Sequence, residues 1–469
     1  MRSAIIDVGY NAIRAIVYEN DTLGAAEIFN KKFKSDIRSL LEKESLDTKH
    51  HIYLSIQYLL HIFKKLEVTK IKCVATAALR NPPNADDFVK YVKDKYDLDI
   101  EIISGKREAE LTALGLITGI KDCSGVMADL GGGSLELVRI TEGKIGQSES
   151  FDLGTKVINE KIIKNESQIV DIIEEKYQSE HCDNLYLAGG ALRCIGRLYI
   201  DLMNYPLKNL HNLKMPTRDF IKYLDKLEDS SYDIKPANYR KQINYNAVLI
   251  CRGMISAFEP EYIIISVYGL KEGVRVSLME KKEQKKDTVL EKVKSVCTIN
   301  DKNIDFESYF QIILPLTSHS EHLENIIKLS IMILKLKNNL DNTLNSNNIS
   351  EFILSSDIPF THKERVMLAL VASYNIKDKP SSELIRTSKK IITKIEHNDS
   401  KIIGLILSVA EYIDGPYFTS PSFSIDIHDS SYLEIKCDGI LPRPVFERIC
   451  MHLKSIAFVR KMTSNNSIN

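Results

Sequence analysis

Three consecutive glycines between two apolar runs constrain this chain more than any other stretch. Ser124–Gly125–Val126–Met127 reads as a buried strand entering the turn Ala128–Asp129–Leu130–Gly131–Gly132–Gly133–Ser134–Leu135–Glu136. Leu137–Val138–Arg139–Ile140 reads as the strand that leaves it. A β-hairpin of this pattern grips an anion, because glycines let successive backbone N–H groups converge on a phosphate with no side chain in the way. Asp129 at the strand end and Glu136 beyond the turn fall beside that phosphate. Two carboxylates there make sense when a hard cation such as Mg²⁺ lies between them and the phosphate. Taken alone, the same residues also describe an ordinary glycine hairpin with a surface carboxylate.

A second stretch narrows the choice. Ser3 to Tyr18 opens the chain as another strand, an acidic end at Asp7, a small-residue turn through Gly9, Tyr10 and Asn11, and a strand carrying Arg14. Two such hairpins, each heading an α/β half, are the signature of the actin-like fold, in which phosphates lie in the cleft between halves. A third glycine turn, Gly189–Gly190, follows the strand Asn184–Leu185–Tyr186.

The length of 469 residues exceeds a single core, so several domains are expected. Hydrophobic content of 44% and charged content of 27% describe a globular protein, and the zero formal net charge supplies no global field for nucleic acid or membrane. Cys73, Cys123, Cys182, Cys194, Cys251, Cys297, Cys437 and Cys450 form no C-x-x-C pair, which favours reduced thiols and a cytoplasmic location. No signal peptide is expected, since Asp7 interrupts the first apolar run, and no stretch approaches the roughly 20 apolar residues of a membrane span.

Along the chain, residues 1 to about 117 read as a hairpin followed by αβ units. Ile52, Ile56, Leu59 and Phe63 make a helical stripe, and Ile71–Ala75 and Asp99–Ile103 read as strands. Glu108 falls in a first helical turn at the carboxyl end of a strand, where open α/β sheets bind ligands. Residues 118 to about 283 repeat the theme, ending in Tyr262–Ser266 and the turn Gly269–Leu270–Lys271–Glu272–Gly273. The charged run Glu280–Asp287 reads as a solvated helix end. From about 284 to 469 the pattern is mainly helical, with a capping box at Thr361–Glu364, a helix at Lys401–Tyr412 stopped by Gly415–Pro416, and half-buried strands at Phe423–Ile427 and Leu433–Lys436. A last helix is expected over Pro444–Phe458, fraying from Thr463, and Asn338–Asn348 reads as a polar loop.

Six motifs in order resemble the bacterial exopolyphosphatase/guanosine pentaphosphate phosphohydrolase (Ppx/GppA) family of the actin-like superfamily. They are Asp7–Arg14, Ala75–Arg80, Ile103–Ala109, Asp129–Glu136, Gly189–Gly190 and Gly269–Gly273. The resemblance implies an α/β fold of two actin-like (ribonuclease H-like) domains around a cleft. A mainly helical HD-like domain lacking the HD metal site follows, with a small α+β part at the end. It implies hydrolysis of a terminal phosphoanhydride, from inorganic polyphosphate or from the alarmone pppGpp, with Mg²⁺ or another divalent cation. Glu108 matches the family's catalytic glutamate and would deprotonate the attacking water. Arg80 and Arg14 would counter phosphate charge. Backbone groups of Gly9, Tyr10, Asn11, Gly131, Gly132, Gly133, Ser134, Gly189 and Gly190 would hold the phosphate, while Asp7, Asp129 and Glu136 would hold the metal directly or through water. A cytoplasmic homodimer without nucleic-acid or membrane partners is expected.

The sequence departs from the family at several points. Tyr10 stands where serine is usual, Lys106–Arg107 makes the approach to Glu108 more basic, and Ala191 replaces a common threonine. In the helical part the only adjacent His–Asp pair, His428–Asp429, falls in a probable turn; His362 is followed by Lys363, and His319 and His322 lack the other ligands. Lys389, Lys390 and Lys394 are candidates for a polyanion track. The alternatives to an exopolyphosphatase are a pppGpp 5′-phosphohydrolase, an actin-like-fold kinase, and a non-catalytic sensor of polyphosphate or alarmone. Bulky Leu192 and Arg193 after Gly189–Gly190 argue against an adenosine pocket there.

Overall fold

The computed structural model describes residues 1–10, 12–34, 37–43, 47–229, 243–297, 303–318, 320, 322–335, 346–377, 379–415, 419–428, 432–437, 443, 447, 449, 451 and 459–464. The chain divides into two compact units, residues 1–205 with 210–288, and residues 206–209 with 289–469.

The first unit holds two mixed sheets. One comprises β1 (Arg2–Val8), β2 (Ala12–Tyr18), β3 (Glu27–Lys34), β4 (Val68–Ala75) and β5 (Ile100–Ile102), in the order β3-β2-β1-β4-β5. The strands β1, β2 and β3 form an antiparallel meander, and β4 and β5 continue from β1 in parallel. Ile5, Ile6, Ile13, Ile16 and Val17 are all buried, as central strands covered on both faces require. The helices here are α1 (Ile37–Leu41), α2 (His51–Lys65), α3 (Ala77–Arg80) and α4 (Ala85–Tyr96). The expected stripe Ile52, Ile56, Leu59 and Phe63 is the buried face of α2 and packs with Ile6, Val8 and Ile13.

The second sheet repeats this plan. It comprises β6 (Gly125–Leu130), β7 (Leu135–Thr141), β8 (Lys144–Phe151), β9 (Asn184–Ala188), β10 (Leu213–Pro216) and β11 (Tyr262–Ile265), in the order β10-β11-β9-β6-β7-β8. Again a three-stranded antiparallel meander is extended by two parallel strands, β9 and β11, with β10 added antiparallel at the edge, so the duplication shows in topology although the halves barely match in sequence. The helices α6 (Val157–Glu160), α7 (Glu166–Glu174), α8 (Gly190–Leu202), α9 (Thr217–Glu228) and α10 (Tyr245–Phe258) belong to this half.

Two helices join the halves. In α5 (Gly105–Gly119), Leu111 packs with Ile5, Val74 and Val274 against the first sheet. Ala109, Ala113 and Leu116 of the same helix pack with Met127, Val138 and Ile264 of the second. The helix α11 (Leu270–Ser277) crosses α5 at backbone contact. A Cβ on Gly115 would overlap the Gly269 carbonyl oxygen, and one on Gly273 would overlap that of Leu111. Only glycine permits this approach of the two helices.

The charged run after α11 holds a short surface helix with no buried residue, as its composition suggests. This helix is α12 (Lys281–Gln284), and the Glu283 carboxylate accepts the Leu23 backbone N–H at 2.8 Å.

The second unit is mainly helical, with helices Phe306–Ile313, Leu323–Leu334, Ser346–Ser355, His362–Lys377, Ser382–Ile391 and Lys394–Asp414. The Thr361–Glu364 capping box forms, with the Thr361 N–H donating to Glu364 at 2.8 Å and the Glu364 N–H donating to Thr361 at 3.2 Å. The helix expected from Lys401 starts at Lys394, because Thr393 and Glu396 make a further capping box. Gly415 ends it at a φ of 80°. The strands β12 (Phe423–His428) and β13 (Tyr432–Cys437) pair antiparallel. Thr463 does not fray: it belongs to β14 (Val459–Ser464), which pairs parallel with β13, the ladder ordering a segment whose own sequence is polar. Most of the helix expected over Pro444–Phe458, and residues 338–345 of the Asn-rich loop, lie outside the described residues; residues 346–348 open a helix. No described helix is long and apolar enough to cross a membrane.

Candidate active site

The hairpin turns of the two halves meet. A Cβ built on Gly133 would lie 3.1 Å from both Cδ2 of Tyr10 and Cβ of Ala77, so the glycine turn of the second half faces the first turn and the start of α3. Each turn is closed by its own backbone. The Gly9 N–H donates to the Ala12 carbonyl at 3.0 Å and the Gly131 N–H to the Ser134 carbonyl at 2.9 Å. These two N–H groups are therefore spent on the hairpins, contrary to their expected role as phosphate donors. Gly132 and Gly133, at the apex, have no backbone acceptor among the described residues. The Gly131 and Gly132 carbonyls are held by the Thr155 and Lys156 N–H groups at 3.1 and 3.0 Å, which braces the apex from behind. Asn11 lies outside the described residues.

Carboxylates gather around these turns because strand register places them there. Asp7 sits opposite Arg14 in the β1–β2 ladder, and Asp129 opposite Glu136 in the β6–β7 ladder. Glu136 is 1% exposed and accepts the Ser150 hydroxyl at 2.9 Å. Asp129 accepts the Thr112 hydroxyl of α5 at 3.2 Å. Glu108 lies in the first turn of α5, whose N-cap Ser104 accepts the Arg107 N–H at 3.2 Å. Its carboxylate pairs with Arg80, whose Nε is anchored on the Ile103 carbonyl at 3.0 Å.

Burial and mutual repulsion push these acids up. Burial, then the Asp129 charge, raises the Asp7 carboxyl to about 6. Burial, then Asp129, raises Glu136 to about 7, against the Ser134 and Ser150 hydroxyls. Burial, then Glu136, raises Glu108 well above the carboxylate range, against Arg80. Burial raises Asp129 too, opposed chiefly by Arg193. Four acids that depress one another's ionisation form a site short of positive charge. A divalent cation fits that donor set. Among the described residues, the one trio of metal-ligating atoms all within 4.8 Å of one another is the exposed His181, Asp183 and Glu261, away from the turns. The Asp7, Asp129 and Glu136 oxygens do not form such a group.

Several expectations change at the level of side chains. Arg14 donates from Nε to the Asn30 amide oxygen at 3.1 Å. Arg107 pairs with Glu110 at 3.4 Å. Leu192 is fully buried in the core of the second half and walls no pocket. Gly189, at a φ of 84°, is the N-cap of α8; a Cβ there would stand 2.6 Å from Asp129 Oδ1, so glycine leaves that carboxylate its room. Gly190 faces open space. Lys271 bridges Glu27 at 3.3 Å, and Glu272 accepts the Gly269 N–H at 2.9 Å, a structural clamp on α11. In the second unit Lys389, Lys390 and Lys394 are exposed, and His362 is buried. His319 and Asp429 lie outside the described residues. The described cysteines, Cys73, Cys123, Cys182, Cys194, Cys251, Cys297 and Cys437, are free thiols, and Cys450 lies outside the described residues.

Sequence reasoning missed Thr112, Ser150, Lys156 and the role of Arg193. Arg193 donates from Nε to the Ser266 carbonyl at 2.8 Å and supplies positive charge to Asp129. Its position four residues beyond Gly189, one turn into α8, was the one signal available.

Two meeting hairpin turns over buried acids, in α/β halves joined by crossing helices, define an actin-like protein. The chain belongs to the Ppx/GppA phosphatase family, whose profile matches residues 16–282. Two solved structures of the Aquifex aeolicus family member share its fold, at TM-scores of 0.50 and 0.51 and 22% identity. They cover 59% of this chain and 97% and 99% of theirs. Among curated proteins it is similar to a bifunctional 3-dehydroquinate synthase/phosphatase of Fusobacterium nucleatum, 25% identical over 302 residues, covering 56% of this chain and 44% of the relative. It is also similar to retrograde regulation protein 2 of Saccharomyces cerevisiae, 23% identical over 257 residues, covering 47% and 44%. The chain thus spans less than half the length of either relative.

Proposed function

We propose that this protein is an exopolyphosphatase that hydrolyses the terminal phosphoanhydride of inorganic polyphosphate and releases orthophosphate. The observation that carries the reading is Glu108, a buried carboxylate held by Arg80 among acids that raise its proton affinity. Such a group is a stronger base than an exposed glutamate, and the guanidinium beside it favours the ionised form that accepts a proton. The Gly132 and Gly133 N–H groups receive the terminal phosphoryl oxygens. Glu108 takes a proton from water as its oxygen bonds to phosphorus; the bridging P–O bond breaks, and the shortened chain leaves as a phosphate anion. Arg80 opposes the charge on the phosphoryl group. Asp7, Asp129 and Glu136 would hold Mg²⁺ through its water shell; when bound, Mg²⁺ neutralises charge on the transferring group. The sequence carries no nucleoside-recognition motif, which favours polyphosphate over pppGpp.

The test is phosphate release by the purified protein. Release from long-chain polyphosphate supports the reading. Release from pppGpp alone replaces it with the nucleotide hydrolase, and ATP-dependent phosphorylation of a small acid or sugar replaces it with a kinase.

A metal prediction follows from the raised acids. Asp7 and Glu136 bind protons more tightly folded than unfolded, so the folded metal-free protein holds more protons between about pH 4 and 7. Its stability therefore falls as pH rises through that window. Mg²⁺ competes with those protons, so the gain in Tm on adding Mg²⁺ should grow from pH 6 to pH 8. Thermal melts with Mg²⁺ and with EDTA measure this; a gain independent of pH, or none, contradicts the metal assignment.

A further inference from the structure

Lys156 belongs to the second half but reaches the first. Its backbone N–H is tied to Gly132, and its Nζ lies 4.5 Å from the centroid of the Tyr10 ring. Arg38 stands 5.4 Å from the same centroid and has a carboxylate partner in Glu42. Lys156 is exposed, and among the described residues no carboxylate pairs with it. An aromatic ring attracts an ammonium and orients it without neutralising it, so the positive charge stays available to an anion. Tyr10 is itself wedged against Gly133, so ring, lysine and apex of the glycine turn form one unit.

We propose that Lys156, oriented by Tyr10, binds the phosphoryl group next to the terminal one and makes the site select a linear chain of phosphates over a lone phosphate. This rests on the reading above that the Gly132–Gly133 apex receives the terminal phosphoryl group. A serine in place of Tyr10 would have no ring on which to hold the ammonium.

The experiment is calorimetric titration of the full chain, in a Glu108→Gln background to prevent turnover, with Mg²⁺ and either tripolyphosphate or orthophosphate. Lys156→Met should weaken tripolyphosphate binding about tenfold, the loss of one charge-assisted contact, and leave orthophosphate within about twofold. Tyr10→Phe should keep the parental affinity, and Tyr10→Leu should behave like Lys156→Met. Lys156→Arg should restore most of the loss. Unchanged tripolyphosphate affinity in Lys156→Met, or an equal loss for both ligands, overturns the inference. Binding of neither ligand to the Glu108→Gln protein instead overturns the phosphate reading of the turn.

Discussion

Glu108→Gln should lower kcat for phosphate release from polyphosphate by about 10³-fold, within the range that positioned general bases contribute, with KM little changed. Gln keeps the shape of the side chain and a contact for Arg80, but it cannot take the proton of the attacking water. The substitution also removes a buried carboxylate whose ionisation burial and Glu136 oppose. Its cost to folding is therefore small: Arg80 loses a charged partner, yet remains anchored on the Ile103 carbonyl. Circular dichroism melts of both proteins check that the fold survives. Glu110→Gln is the control, because Glu110 sits on the same helix and pairs with Arg107; its rate should stay within about twofold of the parent, as a surface ion pair predicts. Parental turnover in Glu108→Gln would falsify the base assignment while leaving the fold standing.

Gly273→Ala should be the most destabilising single methyl group in the first unit. The new Cβ overlaps the Leu111 carbonyl oxygen, a backbone atom that no rotamer change can move. Relief requires α11 to shift from α5, and α5 carries both Leu111 against the first sheet and Ala109, Ala113 and Leu116 against the second. A loss of about 3–5 kcal/mol is expected, beyond ordinary overpacking because backbone must move. The displacement also pulls Glu108 and Thr112, both on α5, away from Arg80 and Asp129, so activity should fall even in whatever fraction folds. Thermal melts together with phosphate release measure both effects. Gly190→Ala offers the contrast: it faces open space at the start of α8 and should change stability by less than about 1 kcal/mol. Equal melting of Gly273→Ala and the parent would mean that α5 and α11 do not cross at backbone contact.

The hairpins were readable because their causes are local. Alternation of Ile and Val with a glycine turn and an acidic strand end needs nothing beyond a dozen residues, and register then sets Asp7 opposite Arg14 and Asp129 opposite Glu136. Caps such as Thr361–Glu364 are equally local, since both partners lie within one turn. A misreading came where long-range pairing outweighs composition. The polar Thr463 is held in a strand by a ladder with β13.

By itself the sequence determined the two-fold repeat of α/β halves, the acids and the glycine turns, since each arises from short-range patterning and chain stereochemistry. Only the tertiary structure decided which groups are left for chemistry. Gly9 and Gly131 close their own turns, while Ser150 and Thr112 arrive from other elements and Lys156 reaches Tyr10. The reason is that an acid's proton affinity and a donor's availability depend on what burial and distant neighbours do to them, and neighbours far apart along the chain are brought together by packing alone.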